Sequence, residues 1–444
     1  MHLTDRGLSR LSGNGLHRRD FLRKLAGSSA LSVVALENLN AAIYERIDGL
    51  NDGLNQDESP DGVYWEEIRK QYMFEGQLIM MNNGTVGPMP KPVFNTLMRY
   101  FKIQASNPYE AYNFFGMLKD NVRNKVAQFV GASPDEIVIT RNTTEGMNFI
   151  ASGLDLGEGD EVLQSTMEHP GGIHPWRLKA ARYGISIAEA PLGVPPRNVD
   201  EIIRAFRSAI NSRTRVISLS HTVFITGLIA PLKEMSEMAH ERGILLLTDS
   251  AHGMGMIDLN MHDLGIDFFC TSPYKWLGAP SGLGILYVKS DVQDRVWPTI
   301  ASSGWDRQGS ASKFETLSQR ADPLFFALGE AIDFQNRIGK ARIARRIRSL
   351  ATHLKDGLSA IPGVKLHTSR DPYLSAGLTA FSIDGVEPQW IVDYLREKYN
   401  IVIRTIGSEE AGTRGVRVST HIWVNTRHVD MLLEGVDYLA SHRG

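Results

Sequence analysis

The chain has 444 residues, of which 42% are hydrophobic and 22% charged, and this composition is typical of a soluble globular protein with room for two domains. A formal net charge of −2 gives no electrostatic reason to expect nucleic acid as a partner. A single cysteine excludes an intramolecular disulfide framework, and no apolar run after the N-terminal region is long enough to span a membrane.

The first 45 residues differ in character from the rest of the chain. The twin arginines Arg18 and Arg19 precede a Phe-Leu pair and two further basic residues, and a weakly apolar run of small residues follows at 25–36. This order is typical of a twin-arginine export signal and predicts a periplasmic or otherwise exported protein. No clear A-x-A cleavage site follows, so the alternative is a basic amphipathic helix that stays on a cytoplasmic protein.

Between about residues 65 and 310, after a predicted linker at 51–62, short apolar runs alternate with amphipathic segments. This alternation predicts a large domain with a mostly parallel sheet and helices on both faces. In chain order, the predicted elements are strand Glu136–Thr140, helix Thr144–Gly153, strand Asp160–Gln164, helix Pro175–Tyr183, strand Arg215–Ser220, helix Leu232–Arg242, strand Ile244–Thr248, a strand at Phe268 and strand Gly282–Val288. In such sheets, ligands bind at the carboxyl ends of the strands.

After a stretch at 302–312 that contains Gly and Ser, the pattern changes to that of a second, smaller domain over residues 311–444. The predicted elements there are a long helix from about Pro323 to Leu358, strands Leu378–Ile383, Ile401–Arg404 and Gly415–Ser419, and helices Gln389–Lys398 and Arg427–His442. This mixture predicts a smaller α+β domain. The fold class of the whole chain is therefore α/β.

Two residues at consecutive strand ends carry the strongest chemical signal. Asp249 follows the apolar run 244–248, and Lys275 follows the next strand. A pyridoxal phosphate enzyme needs both, because the lysine forms a Schiff base with the cofactor and the carboxylate keeps the pyridine nitrogen protonated. Most lysines are solvated surface charges, but this pair with flanking apolar strands predicts pyridoxal 5′-phosphate (PLP) as the cofactor.

Further motifs make the sequence resemble class V aminotransferases, in particular the isopenicillin N epimerase-like branch, with cysteine desulfurases and C–S lyases as relatives. The resemblance runs from about residue 72 to 439. It is carried by the turn Thr140–Gly146, the segment Met167–Gly172, Asp249–His252 and Lys275. It implies the PLP-dependent transferase fold type I, with a mostly parallel sheet of the seven-stranded type in the large domain.

The resemblance also implies roles around the cofactor. Thr143 and Thr144 would hold the phosphate at a helix N-terminus, although a threonine N-cap is the alternative interpretation of this turn. His169 would stack on the pyridine ring, at a position where a lone histidine is more often structural. His252 would lie near the cofactor oxygen O3′, and Ser272 would contact the phosphate.

Three more residues are implied on the substrate and partner sides. Arg417 would grip the α-carboxylate of the substrate with its planar guanidinium, and Asn83 would lie on the substrate-side turn. Arg320 would reach the phosphate bound by the partner subunit, which implies a homodimer with shared active sites. Taken alone, Arg417 is also compatible with a surface arginine on an alternating strand.

The sequence departs from these relatives in its cysteine usage and in two side chains. The segment 405–411 lies where desulfurases carry a mobile catalytic cysteine, but it contains none. The lone Cys270 is predicted to be a small buried hydrophobe, so desulfuration through a persulfide is not expected. Phe224 replaces a residue that is often polar, Tyr274 replaces a frequent histidine, and His221 is either close to O3′ or simply packed at a strand end.

The predicted function is that of a PLP-dependent enzyme acting on the α-carbon of an amino acid or an amino-acid-like small molecule, with no metal at the site. Lys275 would abstract the α-proton while Asp249 keeps the ring cationic. Transamination, epimerisation and C–S or β-elimination all stay open. The alternative is a catalytically silent protein that has kept the fold. A nicotinamide-dependent dehydrogenase is disfavoured because Gly282-Leu283-Gly284 lacks the full G-x-G-x-x-G pattern.

Overall fold

The computed structural model describes residues 28–53, 62–407 and 413–442. The twin arginines Arg18 and Arg19 lie outside these residues. The helices, numbered in chain order within the described residues, are α1 (Ser28–Gly53), α2 (Val63–Arg69), α3 (Lys91–Ser106), α4 (Pro108–Val130), α5 (Thr143–Gly153), α6 (Pro170–Tyr183), α7 (Val199–Ala209), α8 (Leu232–His240), α9 (Met261–Leu264), α10 (Asp322–Ile338), α11 (Lys340–Ala360), α12 (Pro388–Tyr399) and α13 (Thr426–Ser441). The strands are β1 (Ile79–Met80), β2 (Ile137–Thr140), β3 (Glu161–Ser165), β4 (Ser186–Ala190), β5 (Thr214–Ser220), β6 (Leu245–Asp249), β7 (Phe268–Thr271), β8 (Gly284–Val288), β9 (Val364–Leu366), β10 (Leu378–Ile383), β11 (Ile401–Val402), β12 (Arg404–Ile406) and β13 (Gly415–Ser419).

The central sheet has seven strands in the order β2-β8-β7-β6-β5-β3-β4. Every pair from β7 to β4 is parallel, whereas β8 is antiparallel to both β7 and β2. The predicted mostly parallel, seven-stranded sheet is therefore confirmed. Because parallel strands end at the same edge, the carboxyl ends of β3, β5, β6 and β7 lie side by side there.

Successive residues of each strand alternate between two apolar layers. In β7, Phe268 and Cys270 pack in the layer that contains Trp176 of α6, while Phe269 packs in the layer that contains Phe326 of α10. Helices α5 and α6 cover the first face of the sheet, and α3, α4, α7, α8 and α10 cover the second. Since both faces are covered, the central strands are apolar along their length, as expected for a parallel sheet.

A second apolar core lies beside a four-stranded antiparallel sheet of order β12-β13-β10-β9. Helices α11, α12 and α13 pack against this sheet. Residues from the N-terminal side complete the core, since β1 pairs in parallel with β11 and since Tyr64, Trp65 and Tyr72 pack in it. The smaller α+β unit is as predicted, and its boundary at residue 310 stays a prediction.

Two predicted elements are each divided in the structure. The helix predicted from Pro323 to Leu358 is interrupted at Gly339, whose φ of +95° is incompatible with an α-helix, so α10 and α11 are separate. The strand predicted at Ile401–Arg404 is split between β11, which pairs with β1, and β12, which pairs with β13. The prediction of single elements was wrong because the apolar pattern continues across both breaks.

Helix α1 packs on α3 and α10. Its residue Ile47 is buried in the second core, and Asn40 Nδ2 donates a hydrogen bond to the Pro92 carbonyl at 3.0 Å. The Tyr44 hydroxyl donates to the carboxylate of Glu330 on α10. Across the described residues, no helix combines the length and the apolar character needed to cross a membrane.

Candidate active site

The carboxyl ends of β3, β6 and β7 and the N-terminus of α5 surround a cavity of about 150 Å³, which we call the inner cavity. The predicted cofactor residues that line it are Thr143, Thr144, His169, Asp249, His252, Ser272 and Lys275. The remaining one, Arg320, lines a neighbouring cavity of about 790 Å³, the outer cavity. Asn142 and Tyr274 line both cavities, so the two are adjacent.

One end of the inner cavity is built to hold an anion. Helix α5 begins at Thr143, after Asn142, whose side chain accepts a hydrogen bond from the Glu145 N–H at 2.9 Å. The Thr143 and Ser272 hydroxyl oxygens are 2.7 Å apart, and Ser272 Oγ also accepts a hydrogen bond from the Thr143 N–H. Hydroxyl groups at a helix N-terminus form a favourable environment for a phosphate. The threonine N-cap alternative is wrong, because Asn142 is the cap.

Asp249 is the last residue of β6, and its side chain is buried in the wall of the inner cavity. Its Oδ1 accepts a hydrogen bond from the Ala251 N–H at 3.1 Å. Burial raises the pKa of Asp249, while the nearby cationic forms of His169 and Lys275 act to lower it. A carboxylate in this position gains stability from a cation placed in the cavity.

The turn that carries Lys275 is held in place from outside. The Gly87 N–H donates to the Tyr274 carbonyl at 3.1 Å, and Asn83 Nδ2 donates to the Lys275 carbonyl at 3.3 Å. A Cβ atom at position 87 would lie 2.3 Å from the Lys275 carbonyl oxygen, so this close approach requires glycine. The predicted residue Asn83 therefore supports the lysine turn.

The side chain of Lys275 is half-buried in the wall of the inner cavity. Burial lowers its pKa to about 8, although the charge of Asp249 acts in the opposite direction. A lysine with this pKa is partly neutral near physiological pH, as a nucleophile or a general base must be.

His169 follows β3 and caps α6, where its Nδ1 accepts a hydrogen bond from the Gly171 N–H at 3.0 Å. The helix begins at Pro170 rather than at the predicted Pro175, because His169 caps it and Pro170 fills the first helical position, so that Pro175 lies inside the helix. The His169 ring meets Phe224 edge-on, with centroids 4.9 Å apart and an interplanar angle of 86°. Phe224, noted in the sequence only as a departure from the relatives, therefore packs against His169.

Two polar groups in the wall of the inner cavity lack protein partners. Among the residues that line the inner cavity, Nε2 of His252 and Oγ1 of Thr222 are buried without a hydrogen-bond partner. His221 does not line this cavity, and burial lowers its pKa to about 4. Orphaned buried polar atoms are costly unless a ligand satisfies them.

These groups fit pyridoxal 5′-phosphate. The N-terminus of α5 with Thr143 and Ser272 suits its phosphate, and the Asp249 carboxylate suits a protonated ring nitrogen. The amine of Lys275 suits its aldehyde, and the free Nε2 of His252 suits a ring oxygen. The residues present thus match the charge and the hydrogen-bonding capacity of each part of the cofactor.

Arg417 lies on β13 with 1% of its surface exposed, so the alternative of a surface arginine is wrong. One terminal nitrogen donates to the Phe224 carbonyl at 2.7 Å and the other to Thr85 Oγ1 at 3.3 Å. Burial, reinforced by the neighbouring Arg404, lowers the pKa of Arg417 to about 9. Its Nε is buried without a hydrogen-bond partner, and within the described residues the neighbouring charge that acts on it is that of Arg404 rather than of a carboxylate. A buried unpaired cation is costly. Arg417 is therefore suited to bind an incoming carboxylate.

Arg320 is placed differently from the other predicted residues. Its guanidinium donates to the Ile139 carbonyl at 2.6 Å and lines the outer cavity together with Ser318 and Gln319. Its predicted contact with a phosphate bound by a partner subunit stays a prediction.

The structure adds Glu168, which the sequence analysis did not single out. Its buried carboxyl group accepts hydrogen bonds from the Ser165 hydroxyl at the end of β3 and from the Ser220 hydroxyl, at 2.6 Å, at the end of β5. Burial raises the pKa of Glu168 to about 7, and the charge of Asp249 adds to this shift. Its position directly before His169 was the one available signal, because nothing in the sequence distinguishes a buried glutamate from a solvated one.

Stability should decrease with rising pH because of Glu168. Between pH 5 and pH 8 the unfolded glutamate has lost its proton, while the folded one releases it only near pH 7, so ionisation favours the unfolded state. We therefore compare the unfolding free energies of the wild type and of Glu168→Gln. The wild-type value minus the variant value should fall by about 2 to 3 kcal/mol from pH 5 to pH 8. Denaturant titrations of the two apoproteins at both pH values measure these unfolding free energies.

Glu136→Gln is the matched control. Glu136 is also a buried glutamate, and burial acts to raise its pKa, but hydrogen bonds from Ser133, His262 and Ser290 outweigh burial and lower it. The contribution of Glu136 to the unfolding free energy should therefore be lost at low pH rather than at high pH. The same pH dependence in the wild type and in Glu168→Gln would contradict the assignment.

Cys270 is fully buried in the apolar layer beneath α5, and burial raises the pKa of its thiol well above the ordinary value. The prediction of a small buried hydrophobe is confirmed. Within the described ranges, no group of three or more His, Cys, Asp or Glu side chains could hold a metal ion.

Comparison with known proteins agrees with this geometry. The chain is 29% identical over 394 residues to isopenicillin N epimerase of Streptomyces clavuligerus, covering 85% of this chain and 98% of that protein. It is 28% identical over 405 residues to a probable cysteine desulfurase of Methanothermobacter thermautotrophicus, covering 85% and 98%. A solved mutant of C-DES with glycine covalently linked to its PLP cofactor superimposes with a TM-score of 0.76 at 25% identity, covering 83% and 98%.

The sequence profile of the family "Aminotransferase class-V" matches residues 80–432, most of the chain. The structural likeness confirms the predicted fold type I. The predictions of an enzyme family and of its PLP cofactor are confirmed with it. By fold, site and sequence, this chain belongs to the class V aminotransferase family.

Proposed function

We propose that this protein is a PLP-dependent enzyme that acts on the α-carbon of an amino acid or an amino-acid-like molecule. The observation that carries the proposal is that Lys275 and Asp249 line one cavity, next to the Thr143 and Ser272 hydroxyl groups at the start of α5. PLP, when bound, supplies an electron sink for the charge that develops at the α-carbon.

The side chains have separate tasks in this proposal. Lys275 would hold the cofactor until the substrate amine displaces it, and the released neutral amine would then take the α-proton. Asp249 would supply the fixed negative charge that keeps the ring nitrogen of the bound cofactor protonated, and His169 would pack against the cofactor from the wall of the inner cavity. Arg417 binds the substrate carboxylate and so sets which bond at the α-carbon faces Lys275.

The relatives include an isopenicillin N epimerase and the cystine C–S lyase C-DES, so the fate of the activated α-carbon divides the family. The absence of cysteine from the segment 405–411 and the burial of Cys270 disfavour a cysteine desulfurase that works through a persulfide. Epimerisation, β-elimination and transamination are the reactions compatible with the side chains present.

The deciding experiment incubates the PLP-loaded protein with a panel of L-amino acids in D₂O, without an oxo-acid. Deuterium at the α-carbon with inversion indicates an epimerase, and release of pyruvate and ammonia indicates a lyase. Accumulation of pyridoxamine phosphate indicates a transaminase. A protein that loads PLP but exchanges no α-proton with any substrate would be catalytically silent, and the proposal would be overturned.

We also propose a homodimer and export, on separate grounds. Arg320 lines the outer cavity but not the adjacent inner one, which is compatible with a contact to a partner's site. The sequence around Arg18 and Arg19 favours export of the folded protein. Sedimentation of the purified protein and fractionation of cells test these two points.

A further inference from the structure

The residue after Lys275 joins the inner cavity to the small domain. The indole Nε1 of Trp276 donates a hydrogen bond to Nδ1 of His252 at 3.1 Å. Its main-chain carbonyl accepts hydrogen bonds from Gln335 Nε2 at 2.8 Å and from His421 Nε2 at 2.9 Å. His421 lies just after β13, the strand that carries Arg417.

The contact with Trp276 sets the tautomer of His252. An indole nitrogen can only donate a hydrogen bond, so Nδ1 of His252 must be the acceptor and carries no proton. Burial lowers the pKa of His252 well below its ordinary value, so the ring is neutral and its single proton is on Nε2. That Nε2 belongs to a residue that lines the inner cavity, is buried, and has no partner in the described structure.

Trp276 is itself held by a second histidine of known tautomer. The Ile422 N–H donates to Nδ1 of His421 at 2.8 Å, so Nε2 carries the proton that reaches the Trp276 carbonyl. The His421 ring stacks between Trp276, with centroids 5.3 Å apart, and Trp423, with centroids 3.9 Å apart. The indole is thus fixed at its ring and at its backbone, and all of these groups are buried.

We propose that Trp276 is a positioning residue that holds His252 as a hydrogen-bond donor to a ring oxygen of PLP, with His421 keeping Trp276 in place. The inference rests on the proposed function. A donor at this point stabilises the form of the cofactor that carries more negative charge on that oxygen. The pH at which the bound cofactor changes its visible spectrum is therefore a readout of the hydrogen bond.

The test is Trp276→Phe in the PLP-loaded protein. Phenylalanine keeps an aromatic ring but has no N–H, so His252 is no longer held in one tautomer. We expect the spectral midpoint to move to higher pH by about 0.5 to 1 unit, the effect of one ordinary hydrogen bond. In the double variant with His252→Ala, the substitution at 276 should have no further effect, because no donor to the ring oxygen is left at position 252.

Trp176→Phe is the matched control, because Trp176 is an equally buried indole whose N–H donates to Ser218 Oγ at 2.9 Å, away from the inner cavity. It should lose comparable stability and keep the wild-type midpoint. An unchanged midpoint in Trp276→Phe, or an equal shift in Trp176→Phe, would overturn the inference.

A second measurement needs no variant. Nitrogen-15 spectra of histidine-labelled protein report which nitrogen of His252 carries the proton, and a proton on Nδ1 in the loaded wild type would also overturn the inference. A protein that fails to bind PLP at all would instead refute the proposed function, so the two failures are distinguishable.

Discussion

Substitution of Lys275 by alanine should abolish turnover and leave the protein folded. The side chain is half-buried in the wall of the inner cavity, so its removal should cost little stability. It is also the only side chain of the inner cavity that can both attach the cofactor and accept the α-proton. We expect α-proton exchange in D₂O to fall by at least about 10⁴-fold, and borohydride reduction followed by mass spectrometry to find no covalently attached cofactor.

Lys355→Met is the control for this prediction. Lys355 is also a buried lysine whose pKa burial lowers to about 8, but its amine donates to Ser375 Oγ at 2.7 Å and to the Ser369 carbonyl, remote from the inner cavity. Its replacement should reduce stability and leave cofactor attachment intact. Covalent attachment of the cofactor that survives in Lys275→Ala and disappears in Lys355→Met would contradict the assignment of Lys275 as the cofactor lysine.

Replacement of Asp249 by asparagine should slow the reaction and stabilise the apoprotein at the same time. Asparagine keeps the shape of the side chain but removes the charge that faces a protonated ring nitrogen, and we expect α-proton exchange to fall by about 10²- to 10³-fold. Because burial raises the pKa of Asp249, its ionised form is unfavourable in the folded apoprotein above the ordinary pKa of the group. The melting temperature of the apoprotein at pH 7 should therefore rise.

Asp267→Asn is the control, because it shows what the loss of a buried aspartate outside the inner cavity does to α-proton exchange and to the melting temperature. Asp267 lies just before β7 and accepts hydrogen bonds from the Leu246 N–H at 2.8 Å and from His240 Nε2 at 2.9 Å. Since its carboxylate is satisfied by the protein, its loss should cost about 1 to 3 kcal/mol and leave exchange unchanged. A lower melting temperature for Asp249→Asn would show that the carboxylate stabilises the fold rather than serving the cofactor.

The central part of the site could be predicted because it follows from strand order. Asp249 and Lys275 come at the ends of short apolar runs that are consecutive in the chain, and β6 and β7 are also neighbours in the sheet. Parallel pairing then places both residues at the same edge. Thr143 and Ser272, implied by the resemblance to the family, meet at the same edge beside the start of α5.

The remainder of the site depends on contacts between distant parts of the chain. Trp276 and His252 are bonded through tertiary packing, and His421 reaches the lysine turn from the other domain. No periodicity in the sequence indicates such contacts. The role of Glu168 could not be predicted either, because the sequence does not show whether a glutamate is buried and neutral or solvated and charged.

Helix α1 sets a limit on how the N-terminus can be processed. Asn40 and Tyr44 lie within the predicted 45-residue signal region, yet the first bonds to α3 and the second to the carboxylate of Glu330. A peptidase that cut after residue 45 would remove both side chains and leave Glu330 without its tyrosine partner. Maturation of an exported form that keeps these contacts would therefore have to cleave the chain before Asn40.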